Sequence, residues 1–168
     1  MFDRFGEFDS AEEINQKAEA LLKADDTEGI RALAAENGID AEDAETYITG
    51  KESCLATTIM AAEGKLEVEA VDLKLEGKLI DWKNMILELC MNDSQICAAV
   101  RKRGKNLCAC ISAMISNSFE TKTRVSDKIV KVTKIKRNGE LEPLRGPLYL
   151  DGLTNARAKQ IIRDYYTR

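Results

Sequence analysis

Helix-capping residues, each followed by apolar positions three and four apart, recur along this chain from its tenth residue almost to its last, and that recurrence favours a packed set of helices. Ser10-Ala11-Glu12-Glu13 has the capping-box pattern, in which the Ser side chain accepts from an otherwise unpaired amide and Glu13 reaches back. It predicts a helix over residues 10–23 carrying Ile14, Ala18, Leu21 and Leu22. Thr27 is placed to cap a second, short helix bearing Ile30, Leu33 and Ala34, which Asn37-Gly38 would end in a left-handed turn, and Asp40 to cap a third running to Gly50. A fourth is expected from Ser53, with Leu55, Ile59, Met60 and Ala62 inward. Residues 65–75 are read as its continuation, although Leu66 and Val68 alternate as in a strand.

Glu76-Gly77 interrupts the pattern. Leu79, Trp82, Ile86 and Leu89 then mark an amphipathic helix to about Met91, with Trp82 toward the core. Asn92-Asp93-Ser94 opens a helix through Ile96, Cys97 and Val100 that ends in Arg101-Lys102-Arg103-Gly104-Lys105, cations where the helix dipole favours them. Asn106 opens the most apolar segment, with Leu107, Cys110, Ile111, Met114, Ile115 and Phe119, expected to be the central core helix. Beyond Val125 the pattern changes. Ile129, Val130, Val132 and Ile135 are β-branched, Asn138-Gly139 is a strong hairpin signal, and Pro143, Gly146 and Pro147 punctuate the stretch after it. Thr154 caps a last helix through Ala158, Ile161, Ile162 and Tyr165. Because aromatic residues make up only 5% of the chain, the core must be built from Leu, Ile, Val, Ala, Met and Cys, which suits helices better than a β-sandwich. The expected fold class is mainly α: a compact multi-helix domain with acidic N-terminal helices and a small C-terminal β-hairpin. An acidic helical region over residues 1–75 would precede a second helical region over residues 76–168, with the hairpin around residues 134–150.

The first ten residues are rich in acids and lack the basic lead of a secretory signal, and the longest uncharged run, residues 106–119, is too short to span a membrane. Five cysteines, an odd number, argue against a disulfide scaffold and for a reducing compartment, so a cytoplasmic location is expected. The net charge of −4 conceals an asymmetry: residues 1–80 hold 20 acids and 8 bases, residues 81–168 hold 9 acids and 17 bases. Such a division speaks to partners or to how the halves face each other.

The chain has no histidine, which removes the commonest general base and metal ligand, and neither a phosphate-binding loop nor a dinucleotide fingerprint occurs. Nothing selects a catalytic pair among 29 acids, so a non-enzymatic binding protein without cofactor is expected. Cys108 and Cys110 lack zinc-ribbon spacing and would point apart on a helix; with Cys54, Cys90 and Cys97 they read as small apolar residues. The basic segment over residues 101–137 carries 11 bases against Glu120 and Asp127. Its Arg101, Lys102, Arg103, Lys105, Lys128, Lys131, Lys134, Lys136 and Arg137 are the candidate contacts to nucleic acid or to a protein partner; the remaining bases are Lys122 and Arg124. Stacking aromatics are lacking there, since Phe119 reads as core, and a solvated face or one docked on the acidic half explains the charge equally well. The acidic half itself is either a solvated surface or a mimic competing for a basic groove on another protein. Tyr165 and Tyr166 form either a partner-contact pair or the end of an amphipathic helix with one ring buried.

The block Ile96-Cys97-Ala98-Ala99-Val100-Arg101-Lys102-Arg103-Gly104-Lys105-Asn106-Leu107, with Cys110-Ile111, Val125-Ser126-Asp127 and the terminal Ile162-Arg163-Asp164-Tyr165-Tyr166, resembles the PcfK-like small proteins of conjugative and integrative elements. The resemblance covers about residues 79–166; the acidic N-terminal 75 residues and the stretch over residues 134–150 lie outside its pattern. It implies a mobile-element protein that acts by binding, in a group that includes proposed anti-CRISPR inhibitors of Cas9. Cas9 or its guide-RNA complex is then the expected partner. The alternative is an accessory protein for DNA transfer or maintenance that binds DNA or RNA.

Overall fold

Ser10, Asp26, Thr57, Asp93, Asn106 and Thr154 each accept a hydrogen bond from an amide in the first turn of the helix they precede, and these caps set the element order. The structure, a computed structural model describing residues 2–168, is mainly helical. Its elements are α1 (Ala11–Lys23), α2 (Thr27–Glu36), α3 (Ala41–Ile48), α4 (Thr58–Asp72), α5 (Lys78–Asn92), α6 (Ser94–Arg101), α7 (Leu107–Glu120), β1 (Thr123–Arg124), α8 (Asp127–Val132), β2 (Lys134–Arg137), β3 (Glu140–Pro143), β4 (Tyr149–Leu150) and α9 (Asn155–Thr167).

Two apolar clusters divide the interior. The first gathers Ile14, Ala18, Ile30, Leu33, Ile39, Tyr47 and Leu55 from α1, α2, α3 and their connections. The second gathers Leu66, Trp82, Ile86, Leu89, Ile96, Val100, Leu107, Cys110, Met114, Ile162 and Tyr166 from α4, α5, α6, α7 and α9. Helix α4 belongs to both, since Ala61 lies in the first cluster and Ala62, one residue on, in the second. A close backbone approach fixes it there. A Cβ on Gly64, midway along α4, would lie 2.1 Å from the Asn37 carbonyl oxygen, and one on Gly38, whose φ is +66°, would lie 2.4 Å from the Gly64 carbonyl oxygen.

Several expectations need correction. The cap of α2 is Asp26, whose carboxylate accepts from Gly29 N at 2.7 Å, with Thr27 the first helical residue. Helix α4 starts at Thr58 rather than near Ser53, because the Asn15 side chain pairs with both backbone groups of Ala56, at 2.8 and 2.9 Å, and holds that stretch outside a helix. Ile59, expected inward, is exposed, as is Leu22 on α1. Helices α6 and α7 each touch α4, α5 and α9, so the expected core helix α7 shares the centre of the second cluster with α6. The buried stripe of α7 is Leu107, Cys110, Ile111 and Met114, and the next positions on that stripe are Asn117 and Ser118; Ile115 and Phe119 lie off it and face outward. The β-branched run over residues 127–132 forms α8, since Val130 N bonds back to Ser126 O at 3.1 Å and the segment has no neighbouring strand to join.

The C-terminal β structure comprises two small antiparallel pairs. β1 pairs with β4, placing Arg124 opposite Tyr149. β2 pairs with β3 across Asn138 and Gly139, whose φ values of 50° and 90° give the type I′ turn that Asn-Gly favours.

Candidate interaction surface

The bases singled out in the sequence fall into two groups with different surroundings. Arg101, the last residue of α6, is 1% exposed. Its guanidinium donates to Asn37 Oδ1 at 2.6 Å, to Ala61 O at 3.2 Å and to Phe8 O at 3.3 Å, so it ties α6 to three segments of the N-terminal half. Burial lowers its pKa to about 10, which leaves it a cation at neutral pH. Arg101 therefore faces the interior and not a surface ligand, because its donors are engaged by internal acceptors. Arg103 remains exposed and is drawn to the N-terminal segment, with its amide donating to Asp9 Oδ1 at 2.9 Å. Lys105 is half-buried, donating to Tyr165 O at 2.6 Å, and only Lys102 of this run extends from the chain with no such tether among the described residues.

Beside Arg101 lies a second buried cation that sequence reasoning missed. Lys65 on α4 is fully buried; its ammonium pairs with Glu7, sits 3.7 Å from Glu69 and donates to Lys105 O at 2.8 Å. Glu69 in turn accepts from Leu107 N at 2.6 Å, satisfying an amide at the start of α7. Burial pushes the Glu69 carboxyl above the usual range, against the lowering effects of that amide and of Lys65. The available signal was positional, since Lys65 and Glu69 sit on the α4 stripe that also carries Ala61, Ala62 and Leu66.

The tyrosine pair belongs to the framework. Tyr166 is buried in the second cluster, and Tyr165 packs edge-on against it, centroids 4.9 Å apart, while its hydroxyl accepts from Asn106 N at 2.9 Å. Residues 96–107, Cys110-Ile111 and residues 162–166 thus form α6, the loop after it, the start of α7 and the end of α9, with α9 packed on both α6 and α7, whereas Val125-Ser126-Asp127 lies apart in the arm at the start of α8.

Residues 121–150 form an arm of different character. One side chain in it, Val130, is buried. It carries eight bases, Lys122, Arg124, Lys128, Lys131, Lys134, Lys136, Arg137 and Arg145, all exposed, against Asp127, Glu140 and Glu142. Pairing sorts these charges. Lys134 stands opposite Pro143 and Lys136 opposite Leu141, so one hairpin face holds lysines with apolar neighbours; Ile135 and Arg137 share the other face with Glu142 and Glu140. On α8, Lys128 and Lys131 are three residues apart and lie on one side. Apolar groups interleave with the bases: Val132, Leu141, Ile129, Tyr149 and Leu150 are all more than half exposed. Phe119, at the root of the arm, is 67% exposed rather than core, and Lys122 Nζ stands 5.6 Å from its ring centre. A Cβ on Gly152 would lie 1.2 Å from Thr121 O, so the two ends of the arm cross in backbone contact.

Elsewhere, a groove of about 510 Å³ between α7 and α9 is lined by the cations Lys105, Arg157 and Arg168, the carboxylates Glu120 and Asp164, and Asn117. Among the described residues no group of three Cys, Asp or Glu side chains is placed to hold a metal ion. Cys90, Cys97 and Cys110 are buried, Cys54 is half-buried and Cys108 is exposed. No described helix is long and apolar enough to cross a membrane. Comparison with protein-family models, with curated proteins and with solved structures finds no match to this chain.

Proposed function

We propose that this chain is a non-catalytic binding protein of a mobile genetic element, acting as an anti-CRISPR-type inhibitor that holds Cas9 or its guide-RNA complex through the exposed arm. The observation that carries the binding role is the arm itself, where basic and apolar side chains interleave with one buried residue among thirty. Monomeric proteins leave such contiguous mixed surfaces open where something docks, and a ribonucleoprotein offers phosphates and protein to meet both components. The choice of Cas9 rests on the PcfK-like resemblance.

Titrating the protein into guide-loaded Cas9 cleaving a target duplex tests this. Inhibition saturates near one equivalent, and the quadruple variant Lys128→Glu, Lys131→Glu, Lys134→Glu, Lys136→Glu loses it while retaining the helical circular-dichroism spectrum. Cleavage unchanged at a large excess of protein overturns the reading. The second reading, an accessory protein binding duplex DNA during transfer or maintenance, is favoured by arm lysines that make no ion pair among the described residues. It requires duplex affinity that falls steeply with salt.

A further inference from the structure

The two exposed rings at the root of the arm give its ligand a narrower chemistry than charge alone. Phe119 is the penultimate residue of α7, and Lys122 lies over its ring face. Tyr149, 53% exposed, stands opposite Arg124 in the β1–β4 pair, and directly opposed residues of an antiparallel pair point to the same side. Phe119 therefore has a cation over its face, and Tyr149 shares its side of the β1–β4 pair with Arg124, whose guanidinium pairs with Asp127 at 3.1 Å. Beyond this root, Lys128 and Lys131 lie on one side of α8, and Lys134 and Lys136 lie on one face of the β2–β3 hairpin, with Glu140 and Glu142 on the opposite face.

We infer that the arm binds single-stranded nucleic acid without reading its sequence, with Phe119 and Tyr149 stacking on bases and the lysines of α8 and β2 tracking the phosphates. Every base has a π-face, so rings flanked by cations hold a strand whatever its sequence, but only if its bases are unstacked. A duplex offers phosphates alone and leaves both rings idle. A purely protein ligand would use the apolar groups yet gives no reason for the charges to be sorted by face. The inference rests on the arm being the working surface proposed above, and it is independent of the nuclease named there.

Fluorescence anisotropy of labelled dT20, rU20 and a 20-base-pair duplex with the full chain, across a range of NaCl concentrations, is the test. The single strands bind more tightly than the duplex. Phe119→Ala and Tyr149→Ala each weaken strand binding about tenfold or more and leave duplex binding unchanged, whereas Phe119→Trp retains it. Replacing Lys134 and Lys136 together by Gln lowers the magnitude of the log K against log [salt] slope on dT20 by about 1.4. Both rings are exposed, and an unchanged melting temperature shows that the variants fold. Equal affinity for strand and duplex, no strand binding at low salt, or indifference to the ring substitutions overturns the inference. A preference for rU20 over dT20, with the ring effects intact, supports it and points to a guide or messenger strand; the reverse points to displaced DNA. Cas9 inhibition that persists while strand binding is absent overturns this inference and leaves the proposed function standing. Strand binding with unaffected cleavage does the opposite.

Discussion

The guanidinium of Arg101 bonds to a side-chain oxygen and two carbonyls from three separate segments, at a site that excludes water. Removing it leaves Asn37 Oδ1 buried without this donor, and an unpaired buried acceptor costs about 1–3 kcal/mol before the lost charge-assisted bonds are added. Arg101→Ala is therefore expected to lower stability by about 3 kcal/mol or more in urea denaturation, while Lys102→Ala, one residue on and exposed, stays within about 0.5 kcal/mol. Arg101→Lys does not restore stability, because one ammonium cannot replace a planar fork directed at three acceptors. Glu69 supplies a pH signature. Its pKa is raised by burial, so the folded chain holds that proton to higher pH than the unfolded chain does, and its contribution to stability declines as pH rises from its ordinary value of 4.5. Denaturation midpoints from pH 4 to 7 are expected to fall for the native chain relative to Glu69→Gln as pH increases. The cysteines separate in the same way. Burial holds the Cys90 and Cys110 thiols up at about 12, whereas Cys108 is exposed, so a thiol reagent at pH 8 modifies Cys108 before either, and those two react only on unfolding.

At the scale of elements, Gly64 inverts a familiar substitution. Glycine within a helix ordinarily costs about 1 kcal/mol relative to alanine. Here the added methyl would meet Asn37 O at 2.1 Å, and backbone cannot swing aside as a long side chain does. Gly64→Ala is expected to destabilise the protein by about 1–3 kcal/mol in thermal or urea unfolding, by prising α4 from the α2–α3 turn. A stabilised variant would show that this approach is looser than the structure gives. The signal for that role was absent from local pattern, because a helical glycine and a helical glycine in backbone contact look alike in one dimension. Helix α7 teaches the complementary lesson. It is the most apolar segment of the chain, yet burial follows the stripe and not the total, and the stripe passes through Asn117 and Ser118 where Phe119 would have had to lie. The hairpin, in contrast, was legible because Asn138-Gly139 can satisfy two positive φ values by itself.

For the whole molecule, α4 is the element common to both apolar clusters, and the buried polar junction of Lys65, Glu69, Arg101 and Asn37 lies where they meet. Neither half then has a complete interior alone. Trp82, the sole tryptophan, reports the second cluster, while far-ultraviolet circular dichroism reports all the helices. The two thermal transitions are expected to coincide; a tryptophan transition well separated from the helical one would show the halves unfolding independently.

The division of charge along the chain acquires its meaning only at this scale. Arg101 and Arg103 turn toward the N-terminal segment, while the bases after residue 121 face solvent, although both groups belong to one basic run in the sequence. Helix class, the caps at Ser10, Asp93, Asn106 and Thr154, the Asn138-Gly139 turn and the inward face of Trp82 were determined by the sequence alone, because capping, periodicity and turn chemistry act over a few residues. The tertiary structure decided which charged residues are buried and that Phe119 is exposed at the root of the arm. Those outcomes depend on which surfaces meet across long separations, and a charged or aromatic side chain carries no local mark of the face it will find.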